Sequence, residues 1–146
     1  MSALTDMLKR HEGHGPMHNG RFLPYVDTVG KTTIAWGRNL TDTGVREEEA
    51  AFMLENDVND VVAALRSTYP WYATLDACRQ DALADMAYNL GMAGFSTFHH
   101  MIAAFEQRDY FAAAAAGRDS HWYKQVGVRG EELMKMVETG LYQDGG

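Results

Sequence analysis

The segment that decides the fold runs from Tyr25 to Gly37 and reads YVDTVGKTTIAWG. Its two outer parts, residues 25–27 and 32–36, are rich in the β-branched and aromatic residues that favour strands. Between them, Val29-Gly30-Lys31 supplies a turn. We therefore predict a β-hairpin in which side chains just before and just after the turn lie close together.

A short helix is predicted immediately before this hairpin. The apolar residues within 4–8 recur at the spacing of one helical face. Ser2 is a suitable N-cap, and Gly13 suits the left-handed backbone that commonly follows a helix end. Glu12 is therefore expected in the last helical turn.

Two carboxylates and one hydroxyl group on these elements form a candidate catalytic set. Glu12 and Asp27 have different surroundings, so one can act as a general acid and the other as a water-orienting base, which together can cleave a glycosidic bond. Thr33 lies across the turn from Asp27, where its hydroxyl group could orient the same water. Taken singly, each has an ordinary interpretation: an exposed helix-end Glu, an Asp bonded to its own turn, and a Thr that favours strands.

The sequence from His11 to Thr41 resembles the phage-type lysozymes, or endolysins, of glycoside hydrolase family 24. Their pattern is Glu-Gly, followed by Tyr-x-Asp-x-x-Gly-x-x-Thr-Ile-Gly-x-Gly. This chain matches it with Glu12-Gly13 and residues 25–37, except that Ala35 replaces one Gly, a change we expect a strand to tolerate. The resemblance continues through residues 44–50, 75–79 and 88–91, and closes with Gly94-Phe95, Trp122-Tyr123 and Arg129.

This resemblance implies an α+β, lysozyme-like fold that is mostly helical, with a small β-hairpin lobe and a cleft between two lobes. It implies a muramidase that hydrolyses the β-1,4 bond between N-acetylmuramic acid and N-acetylglucosamine in peptidoglycan, in the service of host-cell lysis. Glu12 would be the catalytic acid, Asp27 the second carboxylate and Thr33 the water-positioning hydroxyl. Inversion at the anomeric carbon is also implied.

The resemblance assigns three further residues to substrate binding. These are Gly37, Tyr88 and Asn89. An aromatic face suits a sugar ring, and an amide suits the N-acetyl group.

Two basic residues are expected to support the site. By the resemblance, Arg129 would hold the Glu12 carboxylate in place. Arg38 would pair with Asp57 and so tie the hairpin lobe to the long helix that follows.

The chain is predicted to be a single catalytic domain over residues 1–146. A helix over about 46–66 would join the hairpin lobe, about 13–44, to a helical lobe made of about 67–146 and the N-terminal helix. Residues 13–20 exceed the family pattern and are expected to form a loop beside Glu12. Further helices are predicted at about 75–90, 97–107, 110–116 and 129–139.

The composition agrees with one globular domain, since 46% of the residues are hydrophobic and 23% are charged. Cys78 is the only cysteine and has no internal disulfide partner, which fits a reducing compartment. No segment resembles a signal peptide. We therefore expect synthesis in the host cytoplasm and action on the periplasmic wall after holin-type release, or delivery by a phage particle.

The expected partner is bacterial peptidoglycan, with no nucleic acid, no stable membrane association and a monomeric state. No metal or other cofactor is expected, because the HEGH sequence at 11–14 lacks the spacing of a zinc-binding HExxH motif. A net charge of −7 also gives no long-range attraction to an anionic wall. Two alternatives stay open: a lytic transglycosylase that uses Glu12 alone, and a non-catalytic glycan-binding virion module.

Overall fold

Residues 2–143 are described by the computed structural model, and their contacts divide the chain inside its longest helix. One unit extends up to Phe52 and the other begins at Met53. The first unit contains α1 (Ala3–Glu12), β1 (Met17–His18), β2 (Arg21–Phe22), β3 (Tyr25–Val26), β4 (Thr32–Ile34), β5 (Arg38–Asn39) and the start of α2 (Glu47–Thr68). The second contains the rest of α2, a 3₁₀ turn (Tyr72–Thr74), α3 (Ala77–Phe95), α4 (His99–Glu106), α5 (Tyr110–Arg118), α6 (His121–Val126) and α7 (Val128–Thr139).

This mostly helical chain with small antiparallel sheets confirms the predicted α+β class. By its contacts, α1 belongs to the first unit, together with the strands. The predicted cleft between two lobes stays a prediction. Within residues 2–143, no helix is both long enough and apolar enough to cross a membrane.

The ends of α1 follow from local chemistry. The Ser2 hydroxyl oxygen accepts the Thr5 backbone N–H at 3.1 Å, which satisfies a donor that the first helical turn leaves unpaired. Gly13 has φ of 62°, and its N–H donates to the Lys9 carbonyl at 3.0 Å. Glu12 is therefore the last helical residue, as predicted.

The predicted hairpin is confirmed as β3 and β4, which pair antiparallel with Tyr25 opposite Thr33. A third strand, β5, was not predicted and pairs with β4 so that Asn39 lies opposite Thr33. Beyond β3 the Asp27 N–H still donates to the Lys31 carbonyl, at 2.9 Å. Asp27 and Thr33 thus lie on either side of one tight turn.

The segment 13–20, expected to be a loop, carries a second hairpin. Strands β1 and β2 pair with Met17 opposite Phe22, and their turn is Asn19-Gly20, with φ of 50° and 75°. Positive φ at both turn residues is the geometry that Asn-Gly favours between two antiparallel strands. The hairpin found in place of the expected loop therefore follows from the local turn preference of Asn19-Gly20.

The core of the second unit is built around α3, whose buried residues are Cys78, Ala82, Leu83, Met86, Ala87 and Phe95. Its helical geometry breaks at Gly91, with φ of 76° and ψ of 158°, where the sequence predicted an end. The helix α6 was not predicted. The largest fully buried side chains are Leu65, Tyr72, Leu83, Met86, Phe95, Met101, Phe105, Met134 and Val137.

Ala35 lies in a turn, so the expectation that a strand would tolerate it was wrong. Strand β4 ends at Ile34, and Ala35 has φ of 57°, a left-handed conformation that costs an L-residue about 1–2 kcal/mol. We expect Ala35→Gly to raise the free energy of unfolding by about 0.5–1 kcal/mol, since glycine relieves this strain but gains freedom in the unfolded chain. Denaturant unfolding measures the change.

The matched control is Ala51→Gly, which makes the same substitution at an exposed position inside α2. There glycine should lower the free energy of unfolding by about 1 kcal/mol. Destabilisation by both substitutions would show that Ala35 carries no strain.

Candidate active site

Asp27 is fixed by the turn that follows it. Its Oδ1 accepts the backbone N–H groups of Val29 at 3.0 Å and Lys31 at 2.9 Å. The interpretation of Asp27 as a turn residue is therefore correct for this oxygen. Because both bonds go to Oδ1, they hold the carboxylate in one orientation and leave Oδ2 for another partner.

Thr33 is the only fully buried side chain in the described part of the first unit, with 4% of its surface exposed. Its hydroxyl group donates to the Lys31 carbonyl at 3.1 Å. The same carbonyl accepts the Asp27 N–H, so one backbone oxygen joins the two residues. The hydroxyl oxygen keeps its lone pairs for a further donor such as water.

Glu12 is exposed and lies against Gly37, which the sequence assigned to substrate binding. A β-carbon placed on Gly37 would lie 3.5 Å from Glu12 Oε2. The φ of Gly37 is 92°, which favours glycine on conformational grounds. The structure therefore brings the carboxyl group and this backbone position together.

Two contacts tie the chain just after Glu12 to the hairpin that carries Asp27 and Thr33. The Gly15 N–H donates to the Ala35 carbonyl at 3.3 Å. The Tyr25 ring packs so closely on Gly15 that an added β-carbon would lie 2.2 Å from it. All three predicted catalytic residues thus belong to one small, connected unit.

Arg38 pairs with a different carboxylate from the one predicted, so the Arg38–Asp57 pair is corrected. Arg38 Nη1 lies 2.8 Å from Glu49 Oε1 and also donates to the Gly44 carbonyl at 3.3 Å. Glu49 Oε1 accepts the Arg46 backbone N–H at 2.8 Å as well, and so caps the start of α2. This cap places the Glu49 carboxylate at the helix start, within reach of Arg38.

This pair should make stability depend on pH. The Arg38 guanidinium, together with the Arg46 N–H, lowers the pKa of Glu49 to about 2. Because this pKa lies below the unfolded value of about 4.3, the stabilisation is present above about pH 4.3 and is lost as the pH falls through about 2. We expect a double-mutant cycle with Arg38→Ala and Glu49→Gln, read from thermal unfolding, to show coupling at pH 7 that shrinks at pH 2.

Glu48→Gln is the matched control, because Glu48 is an exposed residue in the same helical turn. A cycle that pairs it with Arg38→Ala should show no coupling at either pH. Equal Arg38–Glu49 coupling at pH 7 and pH 2 would contradict the ion pair.

The remaining predicted residues lie in the second unit. Tyr88 has 45% of its surface exposed, and it lines a cavity of about 360 Å³ together with Arg129. Asn89 Oδ1 accepts the Trp122 indole N–H at 3.0 Å. This hydrogen bond turns the NH₂ group of the Asn89 amide away from the Trp122 indole. Arg129 Nε donates to Asp85 Oδ1 at 2.7 Å. The pairing of Arg129 with Glu12 would join the two units and stays a prediction.

Among residues 2–143, no three His, Cys, Asp or Glu side chains are grouped so that they could hold a metal ion. Two features were not predicted from the sequence. Glu49 is the partner of Arg38, and Trp36, the neighbour of Gly37, is exposed.

The model of the phage lysozyme family matches residues 17–139. The matched segment contains Asp27 and Thr33, and it begins after Glu12. The chain is 28% identical to the pre-baseplate central spike protein Gp5 of Enterobacteria phage T4, over 94% of the chain and 28% of that protein. The chain thus spans less than a third of the spike protein's length.

Two relatives are matched over nearly their whole length. The chain is 24% identical to the probable T4-type lysozyme 2 of Dictyostelium discoideum, over 99% of the chain and 98% of that protein. It is 22% identical to the probable T4-type lysozyme 1 of the same organism, over 96% of each.

Proposed function

Because the chain belongs to the phage lysozyme family, a family of glycosidases, we propose that it is a muramidase acting on bacterial peptidoglycan. The bond cleaved is the β-1,4 bond between N-acetylmuramic acid and N-acetylglucosamine. The observation that carries the proposal is the joining of Asp27 and Thr33 through the Lys31 carbonyl, in the unit that also holds Glu12. The reaction is then acid/base hydrolysis by these three residues.

Glu12 is the general acid. It is exposed at the end of α1, and its carboxyl group lies against the bare backbone of Gly37. A side chain at position 37 would occupy the space beside the carboxyl group, so glycine leaves room for the leaving oxygen of the glycan. Protonation of that oxygen by a positioned carboxyl group is the first requirement of glycoside hydrolysis.

Asp27 and Thr33 direct the attacking water. Two turn N–H groups hold Oδ1 of Asp27, so Oδ2 is the oxygen that can accept a proton from water. The Thr33 hydroxyl group donates its proton to the Lys31 carbonyl, so its oxygen can accept a hydrogen bond from the same water. A water held in this way suits attack at the face opposite the leaving group, with inversion.

The family resemblance assigns Tyr88 and Asn89 to glycan binding. Trp122 occupies the carbonyl oxygen of the Asn89 amide, so its NH₂ group acts as the donor toward an N-acetyl oxygen. The exposed Tyr88 ring offers an aromatic face to a sugar.

A pair of substitutions at Thr33 tests this mechanism. Thr33→Val keeps the shape of the side chain but removes the hydroxyl group, and we expect the rate of peptidoglycan hydrolysis to fall about 10- to 100-fold through loss of water positioning. The free energy of unfolding should change by less than about 1 kcal/mol, because the Lys31 carbonyl keeps its bond from the Asp27 N–H. Release of soluble fragments from purified walls measures the rate.

Thr33→Ser restores the hydroxyl group and should return the rate to within a few-fold of the parent. Thr32→Val is the matched control, since Thr32 is the exposed neighbour on the same strand. If Thr33→Val hydrolysed walls as fast as the parent, the water-positioning role would be wrong.

The biological setting is host-cell lysis. Access to the wall would follow holin-type release from the cytoplasm, and the similarity to a segment of a central spike protein favours a particle-borne route as the alternative. Production in host cells distinguishes these routes, because release from within should lyse cells only when a holin is also made.

A further inference from the structure

Trp36 is an exposed aromatic residue beside the proposed acid. It lies in the turn between β4 and β5, where Ala35 and Gly37 on either side both have positive φ. This turn leaves 40% of the Trp36 surface exposed. A β-carbon placed on its neighbour Gly37 would lie 3.5 Å from Glu12 Oε2, so the turn that carries the indole lies beside the proposed acid.

Two side chains hold the Trp36 indole in place. The Lys9 ammonium lies over the ring, 4.3 Å from its centroid, and Lys9 is one helical turn before Glu12. The Phe22 ring, on β2, packs against the indole: the ring centroids are 4.8 Å apart, and the ring planes meet at 61°. Cation–π and edge-to-face contacts of this kind fix ring orientation. A fixed ring loses little conformational entropy when a ligand binds.

The turn that carries Trp36 also borders an open depression. Residues 35–38 line this solvent-open space of about 330 Å³. A pyranose ring presents C–H groups on its faces and hydroxyl groups at its rim. An exposed indole offers the matching combination of a flat apolar face and an N–H donor.

We propose that the Trp36 indole, held by Lys9 and Phe22, is a stacking platform for one N-acetylhexosamine ring of the glycan beside Glu12. This Trp36 platform rests on the proposed function and adds a sugar subsite to it. The hairpin β1–β2 thereby gains a role, because it supplies Phe22.

The test uses the Glu12→Gln protein, which should bind glycan without cleaving it. Titration calorimetry with a soluble tetrasaccharide of alternating N-acetylglucosamine and N-acetylmuramic acid measures the affinity. Adding Trp36→Leu, which keeps an apolar side chain against Phe22 but removes the flat ring, should weaken binding about tenfold. Adding Trp36→Phe, which restores a ring, should keep the affinity within about threefold of the parent.

The matched control is Phe111→Ala, since Phe111 is an exposed aromatic residue on α5 and should not alter affinity. In the active enzyme, Trp36→Leu should raise KM more than it lowers kcat. Unchanged affinity in Trp36→Leu, with the parent still binding, would overturn the platform alone. Failure of the Glu12→Gln parent itself to bind the tetrasaccharide would overturn the proposed function and the platform with it.

Discussion

Glu12→Gln should abolish wall hydrolysis while leaving the protein folded. The substitution removes the proton that the leaving oxygen needs, and general acid catalysis alone contributes about 10²–10⁴-fold to the rate. Glu12 is exposed at the end of α1, and glutamine has nearly the same shape, so the melting temperature should not change appreciably. Release of soluble fragments and thermal unfolding of the same sample separate the two effects.

Glu106→Gln is the matched control, because Glu106 is also an exposed glutamate at the last position of a helix, α4. It should retain full activity. Near-parental activity in a folded Glu12→Gln protein would show that another group supplies the proton.

Asp27→Asn should be nearly as damaging to the reaction. Asparagine keeps an oxygen that can accept the Val29 and Lys31 N–H groups, so the turn should survive. The charge that accepts a proton from water is lost, and we expect the rate to fall about 10²–10⁴-fold. Initial rates on purified peptidoglycan, with the free energy of unfolding measured in parallel, test this expectation.

Asp27→Ala separates the structural role from the chemical one. It removes the turn bonds as well as the charge, and should lower the free energy of unfolding by a further ~0.5–1.5 kcal/mol. Asp109→Asn is the control, since Asp109 caps α5 through the same kind of bond and should tolerate the change. If the Asp27→Asn protein hydrolysed peptidoglycan at the parental rate, Asp27 would have a structural role in the turn and no catalytic role.

The elements that the sequence predicted well are those with strong local signals. Ser2 and Gly13 mark the two ends of α1 through hydrogen bonds to residues three or four positions away. Both ends can therefore be predicted from the local sequence. The hairpin around Asp27 and Thr33 likewise follows from strand formers on both sides of a glycine turn.

The hairpin β1–β2 was missed although its signal was present. Asn19-Gly20 is a strong turn signal, but each flanking strand is only two residues long and shows no alternation of apolar and polar residues. The sequence pattern around Asn19-Gly20 therefore favours a loop.

Other features depend on contacts that no local pattern contains. The helix α2 contains several acidic residues, and the choice of Glu49 as the partner of Arg38 follows from the helix cap that also holds Glu49. The burial of Thr33, rather than the more apolar Ile34, follows from the pairing of β4 with strands on both sides. Ala35 takes a left-handed conformation in the turn after β4, which ends two residues earlier than the β-forming segment 32–36 suggests.

The most direct test of the central claim is mass spectrometry of the fragments released from purified peptidoglycan in heavy-oxygen water. Hydrolysis by Glu12, Asp27 and Thr33 predicts fragments that end in reducing N-acetylmuramic acid and carry one solvent oxygen at the anomeric carbon. Fragments lighter by one water, with an internal anhydro ring and no solvent oxygen, would instead show a transglycosylase that uses Glu12 alone. That result, or the release of no fragments at all, would contradict the account.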